Sequence, residues 1–529
     1  MSASPALEHS LRRMAAQETL FAPRPNRLQL LGLSLDKATG PARRINIWRN
    51  HAIETLLTLA QPYLDWADLA LEPWLSGYDD SLSFAEHAPA ELELLWLDAS
   101  RLPADAGWLN GRIAALRAMS RAPILVLATA SVVASGPDVQ SADLAAVCEA
   151  AGVPLLDARL AKVAGSPLSA AAQSVIAREL ACRWLPALLL PPVKAVAVDL
   201  DHTLYAGVLG EDGPDGVQLT PGHAELQGQI KALRERGIFI ALVSRNEQAD
   251  VKALFETRAD FPLRWDDFSV TEVSWGDKAE ALQRVAQALN IDVSAVAFVD
   301  DNPGELAQVA SRLPTLRSVF AHADAALTAR VLAHLPALWR WRVSAEDAKR
   351  VDDQRANAQR AELASVHPEA YFESLGVKLR FSLNDASRLA RMAEMSGKTN
   401  QFNLALARLG EADYAARLAD PAGSVVTIEL ADRFSDSGVI GLLAARQGSE
   451  GITVDELLIS CRAMGRRLED SIVIGALQCL PAASVRFVVT EGPRNQPARQ
   501  WLGETTEWPA DRVQSFTPPD GVQIERVLP

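Results

Sequence analysis

The sequence predicts an α/β protein of several domains, and three observations support this. Its 529 residues exceed what one hydrophobic core usually supports, and 49% of them are apolar, which is enough for more than one core. Apolar strand-like runs alternate with helix-like stretches from the start of the chain to about residue 345, as in parallel α/β layers. Proline-rich and charged segments interrupt this alternation near residues 190 and 345.

We place domain boundaries at these two breaks. Residues 1–190 form a first α/β domain, residues 191–345 a second α/β domain, residues 346–370 a linker helix, and residues 371–529 a mixed α+β domain. The strands expected in the first domain are RLQLLGLSL (27–35), LELLWLDAS (92–100), APILVLATA (122–130) and VPLLDA (153–158). Those of the second are VKAVAVD (193–199), IFIALVS (238–244) and AVAFVDD (295–301). Those of the last are VKLRFSL (377–383), VVTIELAD (425–432), GVIGLLAAR (438–446), ITVDELLIS (452–460) and VRFVVTEG (485–492).

Composition excludes several classes of function. The formal charge is -14, the pI is near 5.2, and no basic stripe is present, so we expect no nucleic-acid partner. The first residues lack the apolar core of a signal peptide, and no apolar run is long enough to span a bilayer, so we expect a cytoplasmic protein without membrane contact. Four cysteines without a CxxC pair argue against a disulfide framework and against a structural zinc site.

Acidic residues follow the first strand of the second domain. Asp199 and Asp201 in DLDHT come directly after a wholly apolar strand, where open α/β sheets bind their ligands. Magnesium-assisted phosphoryl transfer needs one carboxylate as nucleophile and another as general acid/base, which this pair supplies. Taken alone, the motif is also compatible with a fragment of a calcium loop or with a strand-end cap.

Three later segments add phosphate-binding and metal-binding side chains in the same order as the strands. Ser244 ends the second strand and is followed by Arg245 and by Asn246, at a helix start where hydroxyl and backbone donors hold a phosphate. Lys278 begins the next helix and supplies a cation, and Asp300 and Asp301 end the third strand as hard oxygen ligands for Mg²⁺. Each alone could be a cap, a solvated lysine or a turn, but together they predict a phosphoryl-transfer site.

This arrangement resembles the haloacid dehalogenase superfamily. The resemblance implies a Rossmann-like domain with Asp199 as nucleophile, Asp201 as acid/base, and Ser244 and Lys278 as phosphate contacts. It also implies a Mg²⁺ site, for which we assign Asp199, Asp201, Asp300 and Asp301. Only a short segment separates Asp201 from the next helix, so we expect no large cap domain over the site.

Four segments give a closer resemblance, to the FkbH-like proteins, over nearly the whole chain. They are DLDHTLYAGVLGEDG (199–213), KTNQFNL (398–404), DRFSDSGVIG (432–441) and LLISCRAMGRRLE (457–469). The resemblance implies a lipase/esterase-like N-terminal domain, a capless phosphatase domain and a C-terminal acetyltransferase-like domain. It further implies that a glyceryl unit is taken from 1,3-bisphosphoglycerate, that phosphate is removed, and that the acyl group is loaded onto the phosphopantetheine arm of an acyl carrier protein as a thioester.

Cys461 is the candidate for the acyl-transfer step. It follows an apolar strand and precedes a helix, with Arg462, Arg466 and Arg467 nearby, where a thiolate is stabilised. The alternative is a buried structural cysteine. RAMGRR is similar to the acetyltransferase loop RxxGxG/A, but Arg467 replaces a small residue, which argues against coenzyme A binding. Arg466 or Arg467 could instead meet the carrier's single phosphate or its acidic surface.

Three hypotheses for the function remain open at this point. The first is the coupled phosphatase and acyltransferase, the second a plain magnesium phosphatase acting on a small phosphate ester, and the third a carrier-protein adaptor. Ser34 follows a strand-like run as an esterase nucleophile does, but VPLLDARLAKVAG lacks a DxxH pair, so we expect the first domain to be non-catalytic. Arg245 stands where we associate the family with lysine, and its planar fork would hold the donor's distal group differently.

Overall fold

The computed structural model describes residues 5–105, 107–163, 165–343, 345–366 and 370–528. The chain forms two compact units, Met1–Val343 and Ser344–Pro529. Among the described residues, none of the helices combines the length and the apolar character needed to cross a membrane. The boundary placed near residue 345 coincides with the division between the two units, whereas the boundary placed near residue 190 lies inside the first unit.

The first unit contains two five-stranded sheets whose strands are all parallel. The first sheet has the order β2-β1-β3-β4-β5, with β1 (Arg43–Arg49), β2 (Leu71–Tyr78), β3 (Leu92–Leu97), β4 (Ile124–Ala128) and β5 (Val139–Asp143). The second has the order β10-β9-β6-β7-β8, with β6 (Ala195–Val198), β7 (Phe239–Ser244), β8 (Val270–Val273), β9 (Val296–Asp300) and β10 (Arg317–Phe320).

The helices of the first unit connect these strands. They are α1 (Pro5–Leu20), α2 (Arg27–Leu31), α3 (Glu54–Ala67), α4 (Trp108–Met119), α5 (Leu144–Ala150), α6 (Ala158–Val163), α7 (Ala170–Glu179), α8 (Leu185–Leu189), α9 (Leu209–Gly216), α10 (Pro221–Glu235), α11 (Gln248–Thr257), α12 (Lys278–Ala288), α13 (Pro303–Arg312) and α14 (Ala325–Ala333). A π-helical stretch, Leu180–Trp184, joins α7 to α8.

Two strand predictions in the first domain are wrong. The run 27–35 begins with helix α2, because the Asn26 side chain accepts hydrogen bonds from the Leu28 and Gln29 amides and caps a helical turn. The run 153–158 contributes one isolated bridge, between Leu156 and Leu168. The first strand is β1, which the pattern missed because its buried Asn46 looks polar; that amide is paired with Glu93 of β3.

A continuous apolar core joins the two sheets of the first unit, so the first two blocks of the sequence pack as one body. Phe21, which follows α1, stacks on His334 beyond α14 with ring centroids 5.7 Å apart. His334 is also paired with Glu179 of α7 at 2.9 Å. Burial lowers the pKa of His334, while the pKa of Glu179 falls to about 2, because burial, which raises it, is outweighed by His334 and two arginines.

The second unit is built on one mixed seven-stranded sheet with the order β16-β15-β14-β13-β12-β11-β17. Its strands are β11 (Val377–Leu383), β12 (Gly423–Ala431), β13 (Asp436–Gln447), β14 (Ile452–Ile459), β15 (Val485–Phe487), β16 (Glu507–Trp508) and β17 (Val522–Val527). Its helices are α15 (Ala345–Val366), α16 (Tyr371–Leu375), α17 (Leu389–Lys398), α18 (Glu411–Ala419), α19 (Glu469–Leu477), α20 (Gln496–Leu502) and α21 (Ala510–Gln514). All five strands expected here are present, although β15 is shorter than its apolar run.

Helix α15 covers most of the segment expected to be a linker; residues 367–369 of that segment lie outside the described residues. Its Asp353 and Arg360 are 1% and 3% exposed. Arg360 is paired with Asp432, which follows β12, at 2.8 Å. The helix is therefore part of the second unit, because buried charged side chains tie it to the sheet.

Candidate active sites

The carboxyl ends of three neighbouring strands bring the predicted acidic site together in the first unit. Strand β6 lies between β9 and β7, and Val198 is in register with Val299 on one side and Leu242 on the other. Asp199 and Asp300, which follow Val198 and Val299, therefore lie side by side at the end of the sheet. Parallel strands end at one edge, which is why residues a hundred positions apart in the sequence become neighbours.

Lys278 links the two aspartates. Its Nζ lies 2.6 Å from an Oδ of Asp300 and 3.1 Å from an Oδ of Asp199. All three side chains are buried: the residues are 6%, 0% and 6% exposed for Lys278, Asp300 and Asp199. Asp277 caps α12 by accepting from the Glu280 amide, which sets the position from which Lys278 reaches inward. Lys278 is thus a buried counter-charge for the site rather than a solvated helix residue.

The charges at this site are crowded and desolvated. Burial raises the pKa of Asp199 to about 6; Lys278 acts in the opposite direction, and Asp300 adds to the rise. Burial also raises the pKa of Asp300 and of Asp301, and for Asp301 the neighbouring Asp199 adds to the rise. The pKa of Lys278 is raised, since burial, which lowers it, is outweighed by Asp199 and Asp300.

Three carboxylates at this edge can meet on one cation. Each of Asp199, Asp300 and Asp301 offers an oxygen, and these atoms lie within 4.8 Å of one another. Three carboxylates against one ammonium leave about two uncompensated negative charges, which matches the charge of a divalent ion. Hard oxygen ligands of this kind suit Mg²⁺ or Ca²⁺. The donor set therefore fits a divalent cation.

Asp201 has a different environment from the other three acids. One of its oxygens accepts hydrogen bonds from the Tyr205 hydroxyl at 2.7 Å and from the Leu209 amide at 2.9 Å. The other accepts from Nδ2 of Asn246 at 2.9 Å. Its side chain is outside the group of three described above. These bonds hold the carboxyl group in one orientation, as a proton-transferring group requires.

The segment after β7 contains the predicted phosphate contacts. Ser244 is buried, and its hydroxyl accepts a hydrogen bond from Asn246 at 3.2 Å. Asn246 thereby connects Ser244 to Asp201, which the sequence did not indicate. Arg245 is 41% exposed in its side chain and is paired with Glu305 of α13 at 2.8 Å. The structure thus gathers Ser244 and Asn246 at the acids and places Arg245 at the surface.

Comparison with known proteins gives only distant likenesses. No protein-family model matches the chain, and no curated protein matches it. Solved structures that match include the N-terminal part of the protein BF1531 from Bacteroides fragilis, which contains a phosphatase domain and is complexed with Mg. It is 18% identical, with 62% of this chain and 99% of that chain covered and a TM-score of 0.46.

A second match is 3-deoxy-D-manno-octulosonate 8-phosphate phosphatase from Moraxella catarrhalis, in complex with magnesium ion, phosphate ion and KDO. It is 17% identical, with 27% of this chain and 87% of that chain covered and a TM-score of 0.19. At these identities and scores neither likeness supports an argument about function.

In the second unit, the three sequence segments that resemble the FkbH-like proteins lie side by side. The segment 398–404 runs antiparallel to the end of β14, with Asn403 opposite Leu458. Strand β14 in turn pairs with β13, which contains most of the segment 432–441. Cys461 is half-buried and lies two residues after the end of β14. The fold therefore assembles all three segments around the turn that bears this thiol.

The arginines of this turn do not have the role expected for them. Arg466 is 5% exposed and is paired with Asp353 at 3.0 Å and with Asp432 at 3.3 Å. It is therefore not available to a carrier phosphate, which corrects that expectation. Arg462 is also buried and donates to the Val439 carbonyl at 3.2 Å. Arg467 is exposed and therefore remains a candidate contact for the carrier's phosphate or acidic surface.

Two residues that matter at the first site were not singled out from the sequence. Tyr205 is fully buried and donates to Asp201, and Glu305 holds Arg245. Tyr205 lies four residues after Asp201 in DLDHTLY, and a tyrosine hydroxyl this close to the acid in the sequence is the signal that could have indicated it. Glu305 has no such signal, because an acid in the first turn of a helix is common.

Proposed function

We propose that this chain is a Mg²⁺-dependent phosphatase coupled to an acyltransferase. It takes a glyceryl unit from 1,3-bisphosphoglycerate, removes phosphate and loads the unit onto an acyl carrier protein as a thioester. The observation that supports this most directly is the buried Asp199, which is paired with Lys278 and converges with Asp300 and Asp301 at the carboxyl edge of a parallel sheet. A buried sheet has no packing use for this group, whereas phosphoryl transfer needs each member.

The phosphomonoester is cleaved at the first site. A carboxylate oxygen of Asp199 attacks phosphorus, the bond from phosphorus to the substrate oxygen breaks, and that oxygen takes a proton from Asp201. Water then attacks the aspartyl phosphate and gives a proton to Asp201, which releases phosphate and restores Asp199. Tyr205 and Asn246 orient Asp201 in both steps, and Lys278 and Ser244 stabilise the negative phosphoryl oxygens.

Mg²⁺ fits the same site. Asp199, Asp300 and Asp301 would hold it, since their oxygens converge and their charge exceeds that of Lys278 by about two. The ion would supply positive charge to the phosphoryl oxygens and to the attacking carboxylate. Asp201, whose two oxygens already accept three hydrogen bonds, acts in this proposal through its proton.

The acyl group is captured at the second site. The Cys461 sulfur attacks the C1 carbonyl of the acyl phosphate, a carbon–sulfur bond forms, and the carbon–oxygen bond to phosphate breaks. Phosphate leaves with the bonding electron pair, and the thiol proton passes to solvent. The thiol of the carrier's arm then attacks the enzyme thioester and regenerates Cys461. Support for Cys461 comes from its half-buried position where three family-like segments meet.

A second candidate function is a plain phosphatase acting on a small phosphate ester. The fact that favours it is that all the acidic, amide, hydroxyl and ammonium groups of the phosphoryl site belong to the first unit. In that case the second unit only helps to position the substrate. A carrier-protein adaptor is the third candidate, but it gives no reason for keeping a buried lysine between two buried aspartates.

Intact-mass measurement separates the three. The full chain is incubated with Mg²⁺, 1,3-bisphosphoglycerate and a holo acyl carrier protein, and phosphate and carrier mass are followed together. A glyceryl adduct on the carrier supports the coupled enzyme. Phosphate release without an adduct supports the phosphatase, and a stable complex with neither product supports the adaptor.

Two variants assign the steps to residues. Asp199→Asn is expected to abolish cleavage of the phosphomonoester in either enzyme, because the attacking oxygen is lost. Cys461→Ala is expected to abolish the carrier adduct while the cleavage of a simple phosphomonoester continues. Cys148→Ala, at a buried cysteine of the first unit, is the matched control. Undiminished loading by Cys461→Ala would rule out the enzyme thioester.

A further inference from the structure

The second unit contains an opening between two strands that is filled by its own chain. Strands β14 and β15 are parallel and pair only through Ile452–Val454 of β14 and Val485–Phe487 of β15. The Val488 amide donates to the Val454 carbonyl at 2.9 Å, and the two strands pair no further. Parallel strands that part in this way leave unpaired edges, to which an extended, amide-bearing chain can add.

The added chain here is the strap, residues 402–404. The Leu404 amide donates to the Leu457 carbonyl at 3.1 Å, and the Ile459 amide donates to the Phe402 carbonyl at 2.9 Å. On the other side of the strap, the Leu404 carbonyl accepts a hydrogen bond from the Thr490 amide at 2.9 Å. Its backbone is therefore bonded to both diverging segments. The β14 edge beyond Val454 has no room for a second extended chain at these positions.

A buried amide holds the strap in place. Asn495 is 0% exposed, and its Nδ2 donates to the carbonyls of Asn403 at 2.9 Å and Thr490 at 2.8 Å. Its Oδ1 accepts from the Gly492 amide at 3.0 Å. The strap's own side chains, Phe402 and Leu404, are 2% and 1% exposed. Removing the strap would expose these groups and leave buried donors and acceptors unpaired.

Hydrogen-bond donors of the turn after β14 are also bonded to groups of the same chain. A loop that holds a pyrophosphate does so with backbone N–H groups and cations at a helix start. Here the Gly465 amide donates to the Glu469 side chain of the same chain at 3.2 Å. Arg466 is committed to Asp353 and Asp432, and Arg462 to a backbone carbonyl. The chain's own carboxylates thus bind the Gly465 amide and the Arg466 guanidinium.

We infer that the second unit, although it resembles an acetyltransferase, has no site for coenzyme A. The strap pairs with the strand edge that a pantetheine chain would need, and Glu469, Asp353 and Asp432 bind the Gly465 amide and Arg466, two of the donors on which a pyrophosphate would depend. The acyl group therefore reaches Cys461 from a donor other than coenzyme A, and this second statement rests on the proposed role of Cys461.

The test uses the full chain and coenzyme A itself. Isothermal titration is expected to show no binding with a Kd below about 1 mM. Hydrogen exchange at the Ile459 and Thr490 amides, which the strap protects, is expected to be the same with and without coenzyme A. Saturable binding in the micromolar range would overturn the inference. Faster exchange of these amides on adding coenzyme A would overturn it too, since the strap would then be displaceable.

A second measurement separates this inference from the proposed function. The protein is treated with acetyl phosphate or with acetyl-coenzyme A, and the intact mass is compared with that of Cys461→Ala. Acetylation by acetyl phosphate alone, lost in the variant, supports both statements. Acetylation of Cys461 by acetyl-coenzyme A overturns the inference. If neither donor acetylates the thiol and coenzyme A does not bind, the absence of a coenzyme A site stands, while the proposed thioester step fails.

Discussion

Replacing Lys278 by methionine isolates the charge balance of the acidic site in the first unit. Its Nζ lies 2.6 Å from Asp300 and 3.1 Å from Asp199, and all three side chains are buried. Removing one partner of such a buried group costs about 3–5 kcal/mol. Without the ammonium group, the pKa of Asp199, which burial already raises to about 6, is expected to rise further, so that this carboxyl group takes up a proton near neutral pH. We expect Lys278→Met to lower the free energy of unfolding of the first unit by about 4 kcal/mol at pH 7.

The loss of stability in Lys278→Met depends on pH. In the variant, one carboxyl group binds a proton in the folded protein that it releases in the unfolded chain near neutral pH. Its folded pKa is raised above the unfolded value, so the folded state regains about 1.4 kcal/mol for each pH unit below 7. The destabilisation by Lys278→Met should therefore shrink to about 3 kcal/mol at pH 6.

Native-state hydrogen exchange of the β6 amides, in EDTA, measures this quantity for the first unit alone. EDTA removes divalent cations, so that only the protein's own charges affect the measured stability. Lys252→Met is the control, since Lys252 is an exposed residue paired with Glu256 at 3.8 Å and should change stability by less than about 0.5 kcal/mol. A cost for Lys278→Met below about 1 kcal/mol, or one that is equal at pH 7 and pH 6, would refute the reasoning.

Three further predictions concern other groups. Asp301→Asn should weaken Mg²⁺ binding at least about tenfold, measured as the Mg²⁺ concentration that gives half the thermal stabilisation, since one of three converging carboxylates is lost. Glu179, whose folded pKa near 2 lies below its usual 4.5, contributes up to about 3 kcal/mol above pH 4.5 and loses this as the pH falls towards 2; Glu179→Gln should flatten acid unfolding over that window. Asp353→Asn leaves Arg360 and Arg466 with Asp432 alone, and exchange of the β13 amides should report a loss of about 3–5 kcal/mol, with no change in the first unit.

The second domain illustrates how much local pattern can predict. Strands β6, β7 and β9 are buried on both faces, so each appears as an uninterrupted apolar run, and the polar residues that end them stand out. Asp199, Ser244 and Asp300 were singled out as candidate site residues for this reason. Strand β8 was missed because its four residues, Val270–Val273, are only half-buried and include Thr and Glu.

The first domain shows where local pattern fails. An apolar run at 27–35 resembled a strand, but one side-chain cap at Asn26 makes it a helix. Strand β1 was overlooked because Asn46 is polar, and the partner that satisfies it, Glu93, is 47 residues away. Whether a buried polar residue is tolerated depends on a partner that only the folded chain provides.

By itself, the sequence determined the α/β class and singled out the candidate residues of the acidic site, because the period of apolar residues, the strand ends and the motif order are local properties. The tertiary structure decided which of those residues lie together. It bound Asp201 to Tyr205 and Asn246 rather than to the three acids that converge, and it buried Arg466 against Asp353 and Asp432. It also paired the backbone of residues 402–404 with the edge of β14 beyond Val454. Such pairings join positions far apart in the chain, so the charge and hydrogen-bonding capacity left for a ligand can be read only after folding.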